Sequence, residues 1–152
     1  IDLVVNMDLN FKQKIILLLL EVGNKKSMSP LQIMKSLFLY AQQEKPQDFY
    51  EFVPYLYGPC SFDVYADLKL LENRGFIASY PTNRGWSFFG ITPEGEKCLK
   101  YLTSNIKVIQ KLDEIKKTIL SKSFIELLKY IYSEYPEFTK NSIFNSEALK
   151  KL

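Results

Sequence analysis

The stretch DLKLLENRGFIASYPTNRGWSFFGITPEG, residues 67–95, constrains the fold more than any other part of the chain. Leu68 and Leu71 have helical spacing, and Gly75 is placed to end that helix with a positive φ, which glycine tolerates best. Two strands are predicted next, at 76–80 and 86–91, on either side of the loop sequence PTNRG. The stretch therefore predicts a helix, a two-stranded hairpin with a basic tip and then another helix.

Polar residues mark the predicted starts of further helices. Some are followed three residues later by Gln or Glu, the pattern of a capping box: Asn10, Ser29 and Ser123. Ser61 and Thr92 are predicted to cap helices without such a partner. The longest helix is predicted over 106–120, with an apolar stripe of Val108, Leu112, Ile115 and Ile119. Because 47% of the residues are hydrophobic, the chain can bury a core, and the predicted fold class is mainly α, of the α+β type.

Three helices, a two-stranded wing and a capped helix resemble a winged helix-turn-helix domain. The sequence LQIMKSLFLYAQ, followed after a gap by YLYGPCSFDVY, is similar to the pattern L-Q-K-L-x-Y-x-A-Q…Y-G-P-x-x-x-x-V-Y of the Panacea family of SocA-like antitoxin domains. The resemblance departs from the pattern at Met34, where the family has lysine. It predicts a winged-helix domain over 10–105 with an inserted segment, 44–60, and a helical extension over 106–152. A short edge strand or extended segment is predicted within the insertion, and Gly58-Pro59 is predicted to turn the chain.

The resemblance also implies a function. It suggests a prokaryotic intracellular protein linked to toxin–antitoxin or phage-defence systems, which acts by binding a protein partner such as a toxin. We therefore expect a non-enzymatic, cytoplasmic module, either a SocA-like antitoxin or a defence-associated accessory protein. The N-terminal sequence shows no signal-type pattern, and the longest apolar run, 15–20, is too short to cross a bilayer.

The residue types that most enzymes use are scarce. The chain has no histidine, no CxxC pair and no glycine-rich phosphate loop. Cys60 and Cys98 are expected to be buried free thiols. We expect no catalytic residue, no metal ligand and no cofactor.

Aromatic residues are concentrated in and beside the inserted segment. The sequence leaves open whether these rings form core or an exposed surface: Phe49, Tyr50, Phe52, Tyr55, Tyr57, Phe62 and Tyr65. Exposed aromatic side chains are typical of protein-binding surfaces. With the rings of the wing, the candidate partner-binding residues are Tyr55, Tyr57, Phe62, Tyr80, Trp86 and Phe88.

The alternative function is a dimeric winged-helix DNA-binding transcriptional regulator. Its candidate contacts with nucleic acid are Lys69, Asn73, Asn83, Arg84, Lys107 and Lys111. The solvent side of the third helix, however, is predicted to carry Asp63, Asp67, Lys69, Glu72 and Asn73, and its three acidic side chains would oppose phosphate. A row of lysines along 106–120, including Lys116, is predicted to face solvent. The apolar stripe of the same helix predicts either packing within the chain or a homodimer seam.

Overall fold

The computed structural model describes residues 9–100 and 105–144, and it confirms an α+β fold. The parts of the predicted extension at 145–152 and of the predicted domain at 101–104 lie outside the described residues. The helices are α1 Phe11–Glu21, α2 Pro30–Glu44, α3 Phe62–Asn73, α4 Pro93–Lys97, α5 Ile106–Leu120 and α6 Phe124–Glu134, followed by a 3-10 helix, Pro136–Thr139. The strands are β1 Ser27–Met28, β2 Val53–Tyr55, β3 Gly58–Cys60, β4 Ile77–Pro81 and β5 Ser87–Ile91.

Most of the predicted helix starts are confirmed. Capping boxes form at Asn10, Ser29 and Ser123, and the Thr92 side chain accepts a hydrogen bond from the Gly95 N–H. Ser61 occupies the predicted N-cap position of α3, but its side chain makes no capping bond. Ser61 continues from strand β3, is buried, and donates its own N–H to the Met34 sulfur at 3.4 Å.

An antiparallel sheet in the order β1-β5-β4 contains the predicted hairpin. Gly75 has the predicted positive φ, +80°, and its carbonyl accepts a hydrogen bond from the Thr92 hydroxyl at 2.6 Å. This bond closes the base of the hairpin. Strand β1 was not predicted from the polar sequence NKKS; its two residues pair with Gly90 and Phe89 of β5.

The inserted segment forms a second, two-stranded sheet, β2-β3. The predicted short strand is confirmed as β2, but the predicted turn at Gly58-Pro59 is wrong. Those residues begin β3, and the turn lies one step earlier, at 56–57. Pro54 is paired with Pro59, so neither residue of this pair has an N–H to donate across the ladder. The short hairpin therefore depends on attachments to the rest of the protein.

One hydrophobic core joins α1 and α2 to α5 and α6. Leu112, Ile115 and Ile119 are buried in it, while Val108 packs against it partly buried. The apolar stripe of α5 is thus covered within the chain, and a homodimer through this helix would have to use another face. Cys60 and Cys98 are buried free thiols, as predicted.

Lys116 corrects the predicted row of solvent-facing lysines. Its ammonium group is buried and donates to the carbonyls of Leu20, at 3.1 Å, and Val22, at 2.8 Å. These carbonyls lie at the end of α1, where helical carbonyls lack partners within the helix. Lys116 therefore joins α5 to the end of α1, and burial lowers its pKa to about 8.

Candidate binding surfaces

The β2–β3 hairpin and the first turn of α3 present a continuous set of large apolar side chains. We call this set the hairpin surface: Val53, Tyr55, Leu56, Tyr57, Phe62 and Tyr65. Each is between 40 and 57% exposed. The rings of Tyr55 and Phe62 meet edge to face at 5.2 Å between centroids. The set lies within thirteen residues of chain, from 53 to 65, which is a dense exposure of apolar side chains for a small protein.

The aromatic cluster predicted from the sequence therefore divides in two. Phe49, Tyr50 and Phe52 face inward, and Phe52 meets Phe38 of the core edge to face at 5.5 Å. Tyr55, Tyr57, Phe62 and Tyr65 face outward. The inner rings attach the segment to the core, and the outer rings remain exposed.

Hydrogen bonds hold the hairpin from both sides. Lys35 of α2 donates to the Pro59 carbonyl at 2.9 Å, beneath β3. On the other side, the Ile143 N–H donates to the Leu56 carbonyl at 3.0 Å. Gly58 approaches Tyr132 so closely that a Cβ at this position would lie 3.2 Å from the ring. These contacts fix the position of the exposed rings relative to the core.

Lys35 is an unusual anchor because its side chain is only 3% exposed. Burial lowers its pKa to about 8, while the neighbouring Cys60 acts in the opposite direction. Burial likewise raises the pKa of the Cys60 thiol, and Lys35 partly offsets that effect. The Pro59 carbonyl is thus bound by an ammonium group that has lost most of its hydration.

Helix α6 extends the hairpin surface on one side. Tyr57, Phe124 and Phe144 form a triangle of rings with centroids 5.8 to 6.2 Å apart. Phe124 is 38% exposed, and Ile143, which precedes Phe144 and donates to the Leu56 carbonyl, is 56% exposed. These two residues were not predicted from the sequence, because they lie more than sixty positions from the hairpin and carry no local signal.

Asp67 does not lie on the solvent side of α3, which corrects the prediction. Its carboxylate accepts hydrogen bonds from the Tyr50 hydroxyl at 2.6 Å and from the Gln13 amide at 3.0 Å. Burial and the bond to this carboxylate both raise the pKa of Tyr50. Asp67 follows the buried Val64 by three positions, which brings it to the edge of the core face.

The hairpin surface lies in an acidic stretch. Residues 46–68 contain four carboxylates and neither lysine nor arginine. Asp67 is hydrogen-bonded to Tyr50 and Gln13. The other three carboxylates are exposed: Asp48, Glu51 and Asp63. Since Asp63 directly follows Phe62 and Glu51 lies two positions before Val53, the apolar area of the hairpin surface has an acidic border.

A second aromatic group lies on the outer face of the β1-β5-β4 sheet. We call it the sheet surface: Tyr80, Trp86 and Phe88. Trp86 and Phe88 meet edge to face at 4.9 Å, and Tyr80 lies opposite Phe88 across the ladder. A Cβ on Gly90 would lie 3.0 Å from the Tyr80 ring, so this ring covers the glycine. Tyr80 is 52% and Trp86 38% exposed, and Phe88 is half-buried.

The structure therefore places the predicted partner-binding residues on two surfaces. Tyr55, Tyr57 and Phe62 belong to the hairpin surface, at the N-terminal end of α3. The hairpin that carries the other three begins after the C-terminal end of that helix, about 18 Å away for a helix of 12 residues. Among the described residues, ring contacts occur within each group and not between them.

The predicted nucleic-acid contacts lie in three places. Lys69 and Asn73 are exposed on α3, and Asn83 and Arg84 are exposed at the β4–β5 turn. Lys107 and Lys111 are on α5, where Lys111 is half-buried and lies 3.9 Å from Glu114. Of the acidic residues predicted on the solvent side of α3, Asp63 is exposed, Glu72 is half-buried and Asp67 is hydrogen-bonded inward.

Within 9–100 and 105–144, no group of three or more His, Cys, Asp or Glu side chains is arranged to hold a metal ion. The helices in the same part of the chain are all too short or too polar to span a bilayer. Compared with protein-family models and with curated proteins, the chain matches none.

Proposed function

We propose that this protein is a non-enzymatic module that binds a protein partner through the hairpin surface. The observation that carries the proposal is a set of six large apolar side chains, exposed within thirteen residues and held on an anchored hairpin. Large exposed apolar patches on small proteins mark interaction sites. Tyr and Phe rings held in fixed positions lose little conformational entropy when a partner covers them.

The acidic border indicates the chemistry of the partner. A complementary surface would cover the apolar centre with its own apolar side chains and place Lys or Arg near Glu51 and Asp63. Complementary charge of this kind speeds encounter and excludes wrong partners. It also makes nucleic acid an unfavourable ligand for the hairpin surface, because phosphates would meet carboxylates.

Two further features support the SocA-like part of the proposal. The order of elements, with β1 placed beside a β4–β5 hairpin that follows α3, is consistent with a winged helix carrying a helical extension. Tyr57-Gly58-Pro59, the strongest part of the Panacea resemblance, forms the end of the turn and the start of the second strand of the proposed binding hairpin. The proposed role is that of an antitoxin or defence-associated accessory protein in the prokaryotic cytoplasm, with a toxin as one kind of partner.

Co-purification from the source cells tests the proposal. The tagged chain is compared with Tyr55→Ser/Phe62→Ser and with the matched control Tyr80→Ser/Trp86→Ser, which alters the other aromatic surface. We expect the wild type and the control to retain one partner protein in stoichiometric amount. The hairpin variant should bind that protein at least tenfold more weakly, since truncation of a buried aromatic anchor costs about 2 kcal/mol or more of binding free energy. Equal retention by all three chains would contradict the proposal.

The second candidate is a DNA-binding regulator. The inward position of Asp67 favours it, because α3 then exposes Lys69 and Asn73 with fewer carboxylates than the sequence suggests. In this role α3 would enter a major groove and Arg84 would contact the duplex beside it. A sequence-specific duplex complex that survives physiological salt and is abolished by Arg84→Ala would favour the regulator over the protein-binding module.

A further inference from the structure

The rings of the sheet surface lie on the outer face of the β1-β5-β4 sheet, where Tyr80 and Trp86 are exposed. Ile77 is buried on the opposite face, where Phe89 and Ile91 pack against the core. Tyr80 and Phe88 alternate with these residues along β4 and β5 and therefore lie on the outer face. Trp86, which directly precedes β5, meets the Phe88 ring. The sheet thus presents adjacent rings to solvent from a backbone that is fixed from behind.

The chain that forms this sheet is basic. The two segments that contain its strands, 22–29 and 73–93, have four basic residues and no carboxylate. All four basic residues are exposed: Lys25, Lys26, Arg74 and Arg84. Glu21, just outside the first segment, forms an ion pair with Lys26 at 3.4 Å. Both arginines of the chain lie in the second segment.

The cations lie at two borders of the aromatic face. Arg84 is at the β4–β5 turn, two positions before Trp86, and its backbone N–H is held by the Thr82 hydroxyl at 3.2 Å. Lys25 and Lys26 immediately precede β1, and the Lys26 carbonyl would lie 3.2 Å from a Cβ on Gly90, beside the Tyr80 ring. A polyanion crossing the sheet would therefore meet basic groups at the turn and at β1, with aromatic rings between them.

We propose that the outer face of this sheet binds single-stranded nucleic acid. Unpaired bases would stack on Tyr80 and Trp86, with Phe88 supporting Trp86, while Arg84 and Lys25 contact phosphates. Aromatic rings with a basic border are the combination that single strands require, because every base has a π-face and every linkage a negative charge. In a duplex, the faces of the bases are covered by their neighbours, so the rings would have nothing to stack on.

This inference does not rest on the proposed protein partner, because the two surfaces share no residue. Their charges also differ: the hairpin surface has exposed carboxylates beside it, whereas the segments of the sheet surface have none. Either proposal can fail without the other.

Trp86 is the only tryptophan of the chain, so its fluorescence reports directly on this face. The full-length protein is titrated at low salt with a short oligothymidylate, with an oligonucleotide of equal length that lacks bases, and with a duplex. We expect quenching by the oligothymidylate, much weaker binding of the abasic strand, and an affinity that falls as salt is added. Base stacking on aromatic side chains predicts that Tyr80→Ala weakens binding about tenfold.

Variants distinguish stacking from general charge attraction. Arg84→Gln should reduce the dependence on salt by about one phosphate contact. Phe62→Ala is the matched control: it removes an equally exposed ring from the hairpin surface and should leave the affinity unchanged. Denaturation midpoints confirm that each variant is folded. Absence of quenching, equal binding of the abasic strand, tighter binding of the duplex, or an equal loss in Phe62→Ala would each overturn the proposal.

Discussion

The β2–β3 hairpin and the β4–β5 hairpin both expose aromatic rings, but they differ in attachment and in charge. The first is held from α2 by Lys35 and from the C-terminal segment by Ile143. The second is closed at its base by the bond from Thr92 to Gly75, and its loop, 82–86, extends beyond the paired residues. The first lies in a stretch with four carboxylates and no basic residue, the second in a stretch with both arginines and no carboxylate.

This difference shows that aromatic content alone does not identify a partner. Exposed rings favour binding in both hairpins, because covering them removes apolar area from water. We propose that the charges around the rings then select the partner: a basic protein at the first hairpin and a polyanion at the second. The sequence grouped six aromatic residues as candidates for binding one partner, and the structure places them on two separate surfaces.

Alanine substitutions of Gly58 and Gly85 test whether the first hairpin is attached more firmly than the second. We expect them to change the free energy of unfolding more than the other perturbations below. Gly58 and Gly85 have φ values of +90° and +85°, so alanine costs about 1–2 kcal/mol at either position. A Cβ at Gly58 would also press on Tyr132 at 3.2 Å, whereas a Cβ at Gly85 meets nothing within 4 Å. We expect urea denaturation to show a loss of about 3 kcal/mol for Gly58→Ala and about 1 kcal/mol for Gly85→Ala. Equal losses would mean that the first hairpin is no more firmly held than the second.

The buried anchor of the first hairpin predicts a smaller effect of pH. Lys35 has its pKa lowered from 10.5 to about 8, so between these values the unfolded chain binds a proton that the folded chain has lost. Stability from this group therefore rises with pH, by on the order of 1 kcal/mol between about pH 7 and pH 9. Lys116 acts in the same direction, and Cys60, whose pKa is raised, acts against it.

Lys35→Met isolates the contribution of Lys35 to this pH dependence. The free energy of unfolding of the wild type minus that of the variant should increase from pH 7 to pH 9. A difference that stays constant over this range would show that the ammonium group of Lys35 keeps its ordinary pKa and is not desolvated in the folded protein.

The sequence predicted what depends on neighbouring residues. The capping boxes at Asn10, Ser29 and Ser123 join residues three positions apart. The positive φ of Gly75 is set by the turn in which it lies, so neighbouring residues specify these features. The missed features depend on distant partners. Lys116 is buried because the end of α1, more than ninety positions away, offers it two carbonyls. Asp67 faces inward because Gln13 and Tyr50 donate to it.

The candidate surfaces likewise combine features set by neighbouring residues with features set by distant ones. The sequence identified the aromatic residues of both hairpins, but which rings are exposed depends on the core packing of Phe49, Tyr50 and Phe52. Strand β1 has only two residues, too few for a recognisable pattern, and its position beside β5 brings the backbone of Lys26 next to Gly90 and the Tyr80 ring. The acidic and basic stretches can be read from the sequence. Which aromatic side chains each stretch borders, and so what kind of partner it would favour, depends on the fold.

The central claim is that charge assigns the two aromatic hairpins to different partners, and mapping of amide chemical shifts tests it most directly. The labelled full-length protein is titrated with a short oligothymidylate, and the shift of each backbone amide is followed. We predict that the largest changes fall in residues 25–28 and 78–91, with 53–65 unchanged. Largest changes in 53–65, or in α3, would contradict the claim.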